Sequence, residues 1–156
     1  MPSMVLKIEN VMVSDVITVD AEAPVRQAVD LMNEHEIGCL VVVDEEEKPV
    51  GILTERDLLR RVLAERKDPV RIKVSQVMSE PLVTGTPHMD LEAAVKLMFK
   101  KKIKKLPVVE NGQLVGLVTL TDMVRVQPQI IEILRKLAGT ELPPKRMKKV
   151  VDYYVV

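Results

Sequence analysis

Two heptapeptides, GILTERD at residues 51–57 and GLVTLTD at 116–122, share the pattern G-Φ-Φ-T-x-x-D, where Φ is apolar. Each reads as a strand running into a helix: an apolar pair gives way to Thr, with an acid three residues later, close to a capping box. One such heptapeptide says little, because an N-cap Thr stabilises any helix by about 0.5–2 kcal/mol. Two of them, 65 residues apart, point to a duplication.

The flanking sequence bears this out. Residues 11–44 laid on 77–110 give 11 identities in 34 positions, among them Met12/Met78, Thr18/Thr84, Leu31/Leu97, Met32/Met98 and Ile37/Ile103. A turn one residue shorter in the second copy then changes the offset. Residues 50–59 match 115–124 at Val50/Val115, Gly51/Gly116, Thr54/Thr119 and Asp57/Asp122. Fifteen identities in 44 positions mark a true repeat, and a repeat sets the architecture.

Each copy is expected to run β-α-β-β-α. Short extended pieces at 16–19 and 82–84 precede amphipathic helices. Their apolar faces carry Val25, Ala28, Val29, Leu31 and Met32 in one copy, and Leu91, Ala94, Val95, Leu97 and Met98 in the other. Pro24 suits a first turn, where its missing N–H costs nothing, and Asp90 suits the equivalent start. β-Rich runs follow at 40–43 and 50–53, and at 106–109 and 114–118, joined by turns at 44–49 and Asn111-Gly112. Second helices start at Thr54 and Thr119. The copies occupy 8–66 and 72–126, and the expected class is α+β (α/β), with the two repeats packed about a pseudo-two-fold axis around a shared core. Residues 127–156 read as a helix over 129–137 ending near Gly139, a Pro143-Pro144 break, a basic stretch at 145–149 and a β-prone end, VVDYYVV.

The 156 residues are 47% hydrophobic and 29% charged, with one cysteine and three aromatics, which suits a soluble globular domain. A lone Cys39 makes no intrachain disulfide, and no Cys/His cluster has metal-ligand spacing. No apolar run approaches the roughly 20 residues that span a bilayer. The start, MPSMVLKIEN, lacks the pattern of a signal peptide, so the expected compartment is the cytoplasm. Net charge is zero, but residues 1–95 carry −8 and residues 96–156 carry +8. Such a division suits an anion-binding region or self-association. Abundant Lys, Arg and Glu with few amides resembles a thermophile's composition.

The tandem motif, with the strands IGCLVVV and IKKLPVV ahead of it, resembles a pair of CBS (cystathionine β-synthase) domains, which fold as a Bateman module. The resemblance covers about residues 8–126. It implies a regulatory ligand, an adenine nucleotide, with AMP first and ADP, ATP, S-adenosylmethionine and NAD-type ligands as alternatives. It implies no catalysis and no metal. By the same resemblance, Asp57 and Asp122 hold ribose, and Thr54 and Thr119 contact ribose or phosphate; Arg56 and Thr121, inside the motifs, are further candidates, and Arg56 also suits a plain surface position. The base falls to Ile17, Thr18, Ile37, Gly38 and Cys39 in one copy and to Val83, Thr84, Ile103, Leu106 and Pro107 in the other. Each site would combine the Asp of one copy with the base positions of the other. Lys104 and Lys105 stand where adenylate-binding pairs carry phosphate contacts, and the first copy has Gly38 and Cys39 there, so the two sites should differ. A helix N-terminus would add N–H groups for phosphate.

More ordinary readings accompany these. Lys100 to Lys102 suit a solvated helix C-terminus, each complementing the dipole by about 0.3–1 kcal/mol. His35, His88 and Glu45 to Glu47 suit surface roles, and Cys39 a small buried one. The expected partners are the nucleotide, a second copy of the chain in a homodimer, and a regulated protein not identified, with no membrane. The alternatives are a nucleic-acid binder using the basic 96–149 region, disfavoured by the scarcity of aromatics, and a ligand-free scaffold pairing VVDYYVV as an edge strand.

Overall fold

In a computed structural model, which describes residues 5–141, the first copy builds β1 (Thr18–Asp20), α1 (Val25–His35), β2 (Cys39–Val43), β3 (Pro49–Thr54) and α2 (Glu55–Leu58). α2 continues as a π-helical turn over Leu59–Leu63. β2 is buried along its whole length and is the middle strand, parallel to β1 and antiparallel to β3. Five consecutive apolar residues, four of them β-branched or long aliphatic, suit a strand covered on both faces. Val25, Ala28 and Met32 are the fully buried face of α1.

The second copy repeats the order with α3 (Leu91–Lys101), β4 (Lys105–Glu110), β5 (Gln113–Thr119) and α4 (Leu120–Val126). Its first strand is the exception. The extended piece expected at 82–84 pairs only through a parallel bridge of Gly85 with Val108. In the first copy the ladder continues because the Ala21 N–H donates to the Val43 carbonyl at 2.9 Å. The residue equivalent to Ala21 is Pro87, which has no N–H to give, so pairing stops. The turns also differ. Asn111 (φ 52°) and Gly112 (φ 78°) form the expected two-residue hairpin connection, whereas Asp44 holds the longer turn by accepting from the N–H groups of Glu46 and Lys48.

α1 and α3 end alike. Glu36 and Lys102 adopt left-handed conformations, and the next residues, Ile37 and Ile103, donate to the carbonyls of Met32 and Met98 at 3.0 and 2.9 Å. This six-to-one closure is the Schellman pattern, and it accounts for the repeated Met and Ile pairs. The starts of these helices are also alike. Pro24 and Asp90 occupy the cap positions, yet neither side chain caps; the first N–H groups, of Val25 and Leu91, donate instead to the carbonyls of Ile72 and Leu6.

Those carbonyls immediately precede two lead-in segments. Residues 73–79 and 7–13 have the same structure: a 3-10 turn (Val74–Gln76; Ile8–Asn10) with a fully buried first residue. A side-chain amide closes each turn, Gln76 accepting from the Lys73 N–H at 2.7 Å and Asn10 from the Lys7 N–H at 2.9 Å. A cation anchors each, Lys73 on Glu22 and Lys7 on Asp90. The hydrogen bond to Glu22, with its negative charge, raises the Lys73 pKa above its ordinary 10.5.

Each lead-in then pairs with a strand by a two-hydrogen-bond bridge: Ser79 with Ile52 on β3, and Val13 with Leu117 on β5. There the methionines meet glycines. A Cβ on Gly51 would stand 2.6 Å from the Met78 sulfur, and one on Gly116 2.5 Å from the Met12 sulfur. The repeated Met and the repeated Gly are therefore two halves of one close contact.

The contacts divide the described residues into two units, 15–83 with 111–114, and 5–14, 84–110 and 115–141. Each lead-in thus belongs to the copy that does not follow it in sequence. The core around α1 and β2 includes Val74, Val77 and Met78 beside Val25, Met32, Leu40 and Leu53.

α5 (Ile130–Glu141) packs on α3 and α4. The sequence reading ended this helix near Gly139, but it runs through that residue. A helical glycine costs about 1 kcal/mol, and the buried stripe of Ile130, Leu134 and Ala138 outweighs it. Pro143-Pro144, the basic 145–149 stretch and VVDYYVV lie outside the described residues.

Candidate functional site

At the first motif, Thr54 closes β3 and caps α2. Its Oγ1 accepts from the Asp57 N–H at 3.2 Å, while its own N–H donates to Asp57 Oδ2 at 3.0 Å. A third bond comes from outside the motif: Ser79 Oγ donates to Asp57 Oδ1 at 2.9 Å. Asp57 is 8% exposed. Its two carboxylate oxygens tie the start of α2 to the lead-in strand, a structural task that also satisfies a charge removed from water.

The second motif has the same cap without the reciprocal bonds. Thr119 Oγ1 accepts from the Asp122 N–H at 3.1 Å. No donor among the described residues hydrogen-bonds or ion-pairs with the Asp122 carboxylate, and the residue is half-buried. The residue bridged to β5 at the place of Ser79 is Val13, which has no side-chain donor.

The start of the preceding strand lies beside each motif within its own unit. The Glu55 N–H donates to the Gly38 carbonyl at 3.0 Å, and the Leu120 N–H to the Lys104 carbonyl at 2.9 Å. Cys39, buried, faces Thr54 in the β2–β3 register. Lys104 and Lys105 are half-buried at the head of β4, next to the Thr119–Asp122 cap, where the first copy has neutral Gly38 and Cys39. Arg56 and Thr121 are exposed on the first turns of α2 and α4.

Of the base positions, Ile17 and Thr18 lie at the start of β1, with the Ile17 carbonyl accepting from Val41 at 3.4 Å. Ile17, Thr18, Ile37 and Gly38 are half-buried, as are Val83 and Ile103. Leu106 and Pro107 are buried, and Thr84 is exposed. Leu106 packs against Gly85 so closely that a Cβ there would stand 2.8 Å away. His35 and His88 are exposed, His88 facing Glu9 at 3.5 Å, which suits surface roles. Among the described residues no group of His, Cys, Asp and Glu is placed to hold a metal, and no helix is long and apolar enough to cross a membrane.

Ser79 is the site residue that sequence reasoning did not single out. It lies 22 residues from Asp57, and its only signal is a mismatch, Ser79 against Val13, in the repeat alignment.

Compared with known proteins, the chain matches the CBS domain family twice, over residues 8–64 and 74–129. It belongs to the CBS domain family. The second match begins 66 residues after the first, the offset that relates the two lead-ins. An uncharacterized protein of Methanopyrus kandleri is 40% identical over 126 residues, covering 78% of this chain; the chain in turn spans 63% of that relative's length. A CBS domain-containing protein of Bacillus subtilis is 39% identical over 116 residues, covering 74% of this chain and 81% of the relative. Among solved structures, a conserved CBS domain protein of unknown function from Thermoplasma acidophilum superposes with a TM-score of 0.76 at 30% identity, over 91% of this chain and 83% of that one. A hexameric CBS-CP12 protein from bloom-forming cyanobacteria gives 0.75 at 26% identity, over 97% and 94%. The fold is therefore the α+β Bateman module of CBS pairs, and the protein is of a regulatory family.

Proposed function

We propose that this CBS pair is a non-catalytic, cytoplasmic sensor of an adenine ribonucleotide, AMP first, acting as a homodimer on a regulated partner. The observation that carries the reading is the Asp122 carboxylate, unengaged by any described donor and set in one unit with Lys104 and Lys105. A ribose diol donates hydrogen bonds that such a carboxylate accepts, and a phosphate seeks the lysines. Thr119 and Thr121 supply hydroxyls at the same turn, and the half-buried aliphatic positions named above offer apolar surface for a base.

Regulation follows if the nucleotide binds one state of the CBS pair more tightly than another, because only differential affinity shifts an equilibrium. Thermal denaturation with AMP, ADP, ATP and S-adenosylmethionine, followed by calorimetry, tests the reading. At a Kd of about 1 μM, 1 mM ligand adds on the order of 4 kcal/mol. At about 2–4 °C per kcal/mol the midpoint then rises by roughly 8–16 °C. A panel that leaves the midpoint unmoved and releases no heat overturns the proposal.

A further inference from the structure

We propose that Ser79 sets the number of ligands: by holding Asp57 inside its own unit, it leaves Asp122 as the one ribose-accepting carboxylate, so a chain with two T-x-x-D motifs works as a single-site sensor. The inference rests on the nucleotide reading above and narrows it.

A carboxylate that binds a diol must have acceptor capacity open to it. Asp57 already accepts from Ser79 Oγ at one oxygen and from the Thr54 N–H at the other, and only 8% of the residue is exposed. Each oxygen keeps a second lone pair, but with so little of the residue exposed a ribose would reach it only by pushing aside the donors already there, which opposes binding. The Ser79 hydroxyl is delivered by a fixed backbone: the Ile52 N–H donates to the Ser79 carbonyl at 3.1 Å, and the Ser79 N–H to Ile52 at 2.8 Å.

The other lead-in has the same backbone bridge, Val13 with Leu117 at 2.9 Å in both directions, and no hydroxyl. There the carboxylate does not close onto the N–H of its cap residue either. Two positions equivalent in fold thus differ by one hydroxyl, and the engagement of the neighbouring Asp differs with it.

Two measurements on the full chain test this. Carboxylate footprinting with a carbodiimide and glycine ethyl ester, without nucleotide, should label Asp122 at least about tenfold faster than Asp57, and Ser79→Ala should raise labelling of Asp57 severalfold. Calorimetry with AMP should give one site per chain, weakened at least about tenfold in Asp122→Asn. Ser79→Ala should add a second site, which the double variant Ser79→Ala/Asp57→Asn loses again. Equal labelling of the two carboxylates, two AMP per wild-type chain, or an unchanged stoichiometry in Ser79→Ala overturns the single-site inference. If AMP fails to bind the wild type, the nucleotide reading falls, and the footprint alone still decides which carboxylate is engaged.

Discussion

Replacing Asp57 and Asp122 in turn by alanine removes the same side chain from equivalent places, and the consequences for stability should be unequal. Asp57→Ala deletes an acceptor of two hydrogen bonds, from Thr54 N–H and Ser79 Oγ, at a residue 8% exposed. Hydrogen bonds to a charged group contribute about 1.5–3 kcal/mol each, and the two donors are left without partners. Because both bonds are partly buried rather than fully so, the sum of about 3–6 kcal/mol is discounted to about 2–4 kcal/mol. At about 2–4 °C per kcal/mol, the midpoint should fall by roughly 4–16 °C. Asp122→Ala breaks no such bond. It loses the favourable placement of an acid in the first turn of α4, about 0.3–1 kcal/mol, and shifts the midpoint by no more than about 4 °C. Circular dichroism melts at neutral pH without nucleotide, checked by urea titration, measure both. Equal losses, or a larger loss for Asp122→Ala, would refute the assignment of Asp57 to structure and of Asp122 to ligand.

Gly116→Ala should destabilise by about 1–3 kcal/mol through overpacking against the Met12 sulfur and the Val13 carbonyl, and Met12→Ala in the same chain should recover part of it; an unaltered melt would show that the contact yields freely. Ile8→Ala, which truncates a side chain with no exposure, should cost about 2–5 kcal/mol although it lies well upstream of the copy it packs into. Lys104→Ala with Lys105→Ala should weaken AMP and leave adenosine nearly unaffected, as read by calorimetry. The Lys73 pKa is raised by Glu22, so that pair stabilises fully below the ordinary 10.5 and its contribution fades as pH rises beyond it. Lys73→Met should therefore differ from wild type in melts near pH 9 and converge on it at more alkaline pH.

The hairpin strands, the two T-x-x-D caps and the faces of α1 and α3 were legible because each rests on local chemistry: apolar period, turn residues and a hydroxyl three residues before an acid. What could not be read depends on distant partners. The repeat alignment began at Val11/Val77, but the shared structure begins at Lys7 and Lys73, and between them only chemical character persists, Ile8 with Val74 and Asn10 with Gln76. In sequence order residues 73–76 fall at the head of the second copy, 72–126, with no local signal of the unit they pack into. Pro87 could have warned that the second copy's first strand would shorten, since its equivalent must donate an N–H. Gly139 signalled a helix end that burial of Ile130, Leu134 and Ala138 overrode. At the site, the motif marked both aspartates alike. Their different engagement is set by Ser79 and Val13, which only a folded chain brings to them.

The crossed lead-ins bear on how such a chain can be divided. A cut in the connection near residue 70 would follow the repeat in sequence, yet it would strip Val74, Val77, Met78 and Ser79 from the unit that α1 and β2 build, and would leave residues 7–13 attached to the half they do not serve. The two fragments would be complementary rather than independent, each carrying the edge segment of the other. An isolated copy would have to borrow that segment from a second molecule, which turns the covalent exchange within one chain into strand exchange between two.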